Sequence, residues 1–76
     1  METRSEILGL LTELITEDVS LEDLKSGRTA IEAYRGMLEN GSSEEEELDD
    51  ILPDIIEEFY SKQEDLISQE ELKVQR

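Results

Sequence analysis

The chain contains no cysteine, no histidine and no tryptophan, and only one proline, one phenylalanine, two tyrosines and four glycines among 76 residues. Without cysteine and histidine there is no disulfide framework, no Cys/His zinc site, and no thiol or imidazole catalysis. The glycines stand alone at positions 9, 27, 36 and 41, so no glycine-rich loop is available to cradle a phosphate. Positive charge is scarce as well: 7 Lys+Arg against 22 Asp+Glu leave a formal net charge of −15. Nucleic acid and anionic membranes carry the same sign, so direct binding to either is not expected. No apolar run approaches the roughly 18 residues of a membrane span. The start, Met1-Glu2-Thr3-Arg4, lacks the basic and apolar regions of a secretory signal, and the expected location is cytoplasmic.

What the chain does hold is large aliphatic residues at regular spacing. Eleven Leu and seven Ile dominate a hydrophobic content of 36 %. Ile7, Leu8, Leu10, Leu11, Leu14 and Ile15 recur at the intervals of a helical stripe. Thr3 followed by Glu6 is a capping box at the start of that helix. Residues 16–20 read as a connection, and Ser20 with Asp23 opens a second helix. Leu21, Leu24, Ile31, Tyr34 and Leu38 line its face, with Leu24, Ile31 and Leu38 spaced by sevens. Gly27 interrupts this helix, and Thr29 with Glu32 offers a fresh start after it. The stripe stays in phase across Gly27, which favours one helix with a small residue at a close contact over two short ones.

Asn40-Gly41-Ser42-Ser43 is the clearest boundary, because Asn-Gly ends a helix through a left-handed residue. Ser43 with Glu46 is a third capping box. Glu44 to Glu47 then fill a first turn, where negative charge suits the exposed N–H groups. The third helix carries Leu48, Ile51, Leu52, Ile55, Ile56 and Phe59 on one side, and Pro53 inside it predicts a kink or a new start. Beyond Ser61 the pattern thins to Leu66, Ile67 and Leu72, a fourth helical stretch or a fraying continuation ending before Arg76. No strand-like alternation occurs. The expected fold is all-α, a small antiparallel bundle of three to four short helices. It forms one acidic domain over residues 1–76, with 68–76 the stretch expected to fray.

Enzymatic readings fare poorly. Paired carboxylates do acid–base work only in a cleft that desolvates one of them, and a chain this short seldom encloses one. There is no EF-hand pattern, so no metal and no cofactor is expected. Leu21-Glu22-Asp23-Leu24 resembles the segment that precedes the prosthetic-group serine of acyl carrier proteins, which are also short, acidic and helical. The stretch that follows, Lys25-Ser26-Gly27-Arg28, has neither the Asp before nor the Leu after the serine that this family uses. Carrier function is therefore not assigned to Ser26.

The distribution of charge is the most informative feature. Residues 39–61 hold ten acids and no base, whereas the rest of the chain holds twelve acids and all seven bases. On a continuous third helix, Glu46, Asp50, Asp54, Glu57 and Glu58 fall opposite the apolar stripe. Glu46, Asp50, Asp54 and Glu58 would form an i, i+4 row with Cβ atoms about 5–6 Å apart. Unpaired like charges at that spacing weaken a helix, and a face meant only for solubility would normally mix in lysine. The ridge is therefore the expected docking site for a basic protein surface, such as that of a nucleic-acid-binding protein, with nucleic-acid mimicry as the sharpest form. Tyr60, at the edge of the stripe, is the aromatic anchor expected beside it. Lys25, Arg28 and Arg35 are expected to pair with carboxylates of a neighbouring helix. The alternative is an assembly module that forms a homodimer through its Leu/Ile stripes.

Overall fold

The computed structural model describes residues 3–74; Met1, Glu2, Gln75 and Arg76, including the expected chain end, lie outside it. It is all-α, with α1 over Arg4–Thr16, α2 over Leu24–Glu39 and α3 over Leu52–Val74, and a single 3-10 turn, Glu46–Asp50, between α2 and α3. α1 and α2 form where the apolar spacing predicts them, whereas α3 begins later than the spacing predicts. The Thr3 hydroxyl accepts the N–H of Glu6 at 3.2 Å and caps α1. Ser20 and Asp23 bond reciprocally, Ser20 N–H to Asp23 Oδ2 at 3.0 Å and Asp23 N–H to Ser20 Oγ at 3.4 Å. They close a turn, and the helix proper begins one residue after Asp23.

Cross-helix contacts fix the directions. Leu14 near the end of α1 meets Gly27 near the start of α2. Arg28 of α2 donates to Gln63 of α3 at 2.7 Å. Arg4, at the start of α1, reaches Asp49 just before α3, while Lys62 of α3 reaches the end of α1. Consecutive helices are thus antiparallel, and α1 and α3 run parallel. The core between them is Ile7, Leu11, Leu14, Leu24, Ala30, Ile31, Tyr34, Leu52 and Phe59, all buried.

α2 is one helix through Gly27, and the reason is packing. A Cβ at Gly27 would lie 2.5 Å from Phe59 Cζ and 2.9 Å from Leu14 Cδ1, so glycine lets α3 close on α2. Thr29 sits exposed in the helix interior and caps nothing. Downstream, Gly41 takes φ +74°. Ser42 N–H bonds to Met37 O at 3.0 Å and Gly41 N–H to Leu38 O at 3.3 Å, the paired bonds of a left-handed helix stop.

The third capping box does not form. Glu45, two residues after Ser43, is left-handed at φ 61°, and the chain turns through Glu46–Asp50 before α3 begins at Leu52. Pro53 therefore falls in the first turn of α3, where its missing N–H costs nothing. Past Ser61 there is no fourth helix among the described residues: α3 continues unbroken to Val74. Its later part packs Leu66 against the core and passes the 18–21 connection, with Leu72 left largely in solvent. The molecule measures 50 × 19 × 18 Å.

Candidate docking surface

The segment between α2 and α3 is shaped by a group that spacing rules do not flag. Arg4 is buried, at 1 % exposure. Its Nε donates to Asp49 Oδ1 at 2.8 Å, its NH1 to the carbonyl of Glu44 at 2.6 Å, and its NH2 to the carbonyl of Ser42 at 2.9 Å. Tyr34 donates its hydroxyl to the same Asp49 oxygen at 2.7 Å. The loop is wrapped around a guanidinium, and two of its carbonyls are turned inward to satisfy it. This demand on the carbonyls explains why an α-helix does not start at Ser43. The charge and its donors are paired, as burial requires.

The titration behaviour follows from these contacts. The Tyr34 hydroxyl and then the Arg4 guanidinium hold Asp49 below the usual carboxylate range. Burial, and then the bond to Asp49, push Tyr34 up to about 12. Glu45 is also lowered, first by the Ser5 hydroxyl, which donates at 2.6 Å, and then by the Ser5 N–H at 3.2 Å. That N–H is one of the four that α1 leaves unpaired at its start. At the other end of α1, Lys62 Nζ donates to the carbonyls of Leu14 at 2.8 Å and Ile15 at 3.0 Å, and to Glu17. A carboxylate thus closes the positive end of α1 and an ammonium the negative end, the order that the helix dipole favours.

These findings redraw the acidic ridge. Glu46 and Asp50 lie on the 3-10 turn; Asp54, Glu57 and Glu58 lie on the first turns of α3. The row is not a continuous i, i+4 ladder, because Arg4 pulls the first part into a different helix type. All five residues are nevertheless exposed. The structure brings Asp54, Glu57 and Glu58 together with Asp65 along a shallow groove of about 700 Å³, with Ile15 and Ser61 in its lining. Lys62 also borders it, but its ammonium is bound to the α1 carbonyls. Asp65 escaped the sequence reading; extending the row Asp54, Glu58, Ser61 by one helical step reaches it. Among the described residues, none of Asp50, Asp54, Glu57 and Glu58 has a side-chain hydrogen bond or ion pair.

Tyr60 is half-buried, its ring edge-on to Phe59 at 5.9 Å between centroids. Arg28 and Arg35 do not pair with carboxylates of another helix: Arg28 bonds to Gln63, and Arg35 meets Glu32 of its own helix at 3.5 Å. Leu24 and Ile31, from the stripe that would drive dimerisation, are spent in the core at 0 % and 1 % exposure. No group of three or more acids is placed to hold a metal ion among the described residues. Nor is any helix there long and apolar enough to cross a membrane. Comparisons with protein-family models, with curated proteins and with solved structures returned no match, so the functional reading rests on the molecule's own geometry.

Proposed function

We propose that this protein is a non-enzymatic interaction protein, a regulator or inhibitor that docks an acidic face on a basic partner surface. The observation that carries this reading is the groove lined by Asp54, Glu57, Glu58 and Asp65, four carboxylates against one ammonium, Lys62, which donates to the α1 carbonyls and forms an ion pair with none of them. Like charges held together without compensation cost stability. A cationic partner removes that cost on binding, and the field of a chain with net charge −15 accelerates the encounter. The broken ladder supports docking on a basic protein surface more than imitation of evenly spaced phosphates.

Affinity capture from host lysate tests the reading, with the wild-type chain and an Asp54→Lys/Glu57→Lys/Glu58→Lys variant as parallel baits. A basic protein retained by the wild type at low salt, released at high salt and absent from the variant is the expected result. Equal capture by both baits, with circular dichroism confirming that both are helical, removes the ridge as the docking site.

A further inference from the structure

A second concave surface lies between α2 and the Arg4-centred loop. It is a groove of about 570 Å³ floored by the Thr29, Ala33, Gly36, Met37 and Asn40 row of α2, with Thr3, Ser42 and Glu44 on its opposite wall. The floor residues recur at i, i+4, i+7, i+8 and i+11, one continuous strip about 16 Å long. No charged residue of α2 lines the groove, although Lys25 lies one turn before Thr29 on the same row and Glu32 one turn before Gly36. In a chain that is 38 % charged, the α2 side of this groove holds no charge; its Ala33, Gly36 and Met37 are half-buried, with open space above Gly36.

Gly36 is the telling residue. Gly27 is required, because a side chain there would strike Phe59. A Cβ at Gly36 meets nothing within 4 Å, and its backbone does not need glycine's left-handed freedom. Glycine weakens a helix interior relative to alanine, so within the isolated chain this position is a loss without a return. A small residue at the centre of a helical groove does permit the backbone of another helix to approach closely. The mouth of the groove indicates the charge of that helix. By helical spacing Glu39 is a neighbour of Gly36, Glu44 faces it from the loop, and both are exposed. The one cation in the wall, Arg4, is already bound to Asp49 and two carbonyls. Glu32 borders the floor too, but shares its charge with Arg35.

We infer that the Thr29–Asn40 groove receives an amphipathic helix of the basic partner, its apolar ridge on Ala33, Gly36 and Met37 and its flanking cations at Glu39 and Glu44. This is helix-in-groove recognition, and it rests on the reading that the partner is basic. It adds that the contact has an apolar anchor as well as charge.

Two synthetic peptides of identical Leu/Lys composition separate the claims, one with leucines at helical spacing and the other scrambled. Each is titrated calorimetrically into the full chain at low salt. The amphipathic peptide is expected to bind at least about tenfold tighter than the scrambled one. Gly36→Leu, which fills the groove and improves helix propensity, should remove that advantage while the melting temperature holds or rises. Gly36→Ala should leave binding nearly intact, and Glu39→Lys/Glu44→Lys should weaken the amphipathic peptide with helicity unchanged. If both peptides bind equally, or Gly36→Leu binds like the wild type, the groove is not the anchor and charge-led docking survives alone. If neither peptide binds, both readings fall.

Discussion

From Glu44 to Asp50 and from Asp54 to Glu58 the chain is dense in acids and free of bases, and composition makes the two stretches look like one. The structure gives them opposite employment. In the first, Asp49 pairs with buried Arg4 and accepts from Tyr34, and Glu45 closes the start of α1. In the second, Asp54, Glu57 and Glu58 face solvent and hold nothing. The difference lies in what approaches each stretch from elsewhere in the fold. The first meets the start of α1, which brings a cation and free N–H groups. The second presents its acids away from the core, and the nearest ammonium is committed to the end of α1.

The contrast is sharpest at neighbouring residues. Asp49→Ala should strip Arg4 and Tyr34 of their shared acceptor and leave a guanidinium buried with an unpaired Nε, a severe defect. Asp50→Ala, one residue on, should be nearly silent. Thermal denaturation is expected to show a loss on the order of 10 °C or more for the former and a shift of about 4 °C or less for the latter. Arg4→Met/Asp49→Leu should recover part of the loss, since an apolar replacement of both partners removes the charge left stranded by either single change. Equal effects at 49 and 50 would erase the comparison.

How much of this was legible beforehand depends on the range of the interactions. The helices and the core followed from the spacing of Ile7, Leu11, Leu14, Leu24, Ile31, Leu52 and Phe59, because helical periodicity is local and any core must use it. The stop at Asn40-Gly41 was legible for the same reason. Arg4 was not. A lone arginine in a first turn reads as solvent-exposed, and its partners lie 38 to 45 residues away. Nothing near Arg4 or near Asp49 announces the other. The loop geometry, the failure of the Ser43 cap and the break in the acidic ladder all follow from that single long-range pairing. Asp54, Glu57 and Glu58 lie within one helix, and their exposure was accordingly anticipated. The groove on α2 fell between these cases: Gly36 was visible as a weak point, but only the open space above it distinguishes it from Gly27.

Titration offers a second way to separate the two stretches. Asp49 is depressed in the folded state, so its contribution is present above the unfolded pKa near 3.9 and disappears as pH falls through the folded value. Tyr34 is raised from 10.0 to about 12, so its contribution is complete below pH 10.0 and is lost as pH climbs through that interval. Denaturant midpoints should therefore fall at both extremes. Tyr34→Phe should flatten the alkaline limb and Asp49→Asn the acid limb. An acid limb unchanged in Asp49→Asn would mean that carboxylates outside the loop carry it.

Glu45 tests the loop more gently. Glu45→Ala removes the acceptor for the Ser5 N–H and hydroxyl but keeps a non-glycine residue at φ 61°. The expected loss resembles that of a helix cap, about 4 °C in melting temperature. Glu45→Gln retains the reach and should lose less. A silent Glu45→Ala would move this carboxylate into the company of the exposed acids.

The smallest effects are expected on α3, and their signs carry the information. Glu58→Lys places a base four residues after Asp54, the favourable order for a helical ion pair, and relieves repulsion with it. Asp54→Lys places a base in the first turn, against the helix dipole, and four residues before Glu58, the poorer order. The two should shift the melting temperature in opposite directions, up for Glu58→Lys and down for Asp54→Lys, each by about 2 °C and less at high salt. Two exposed carboxylates without structural work should behave in this way, governed by local helix electrostatics alone. A large loss from Glu58→Lys would show instead that the fold depends on the carboxylate at that position. The second stretch would then resemble the first, and the acids of α3 would no longer be free for a partner.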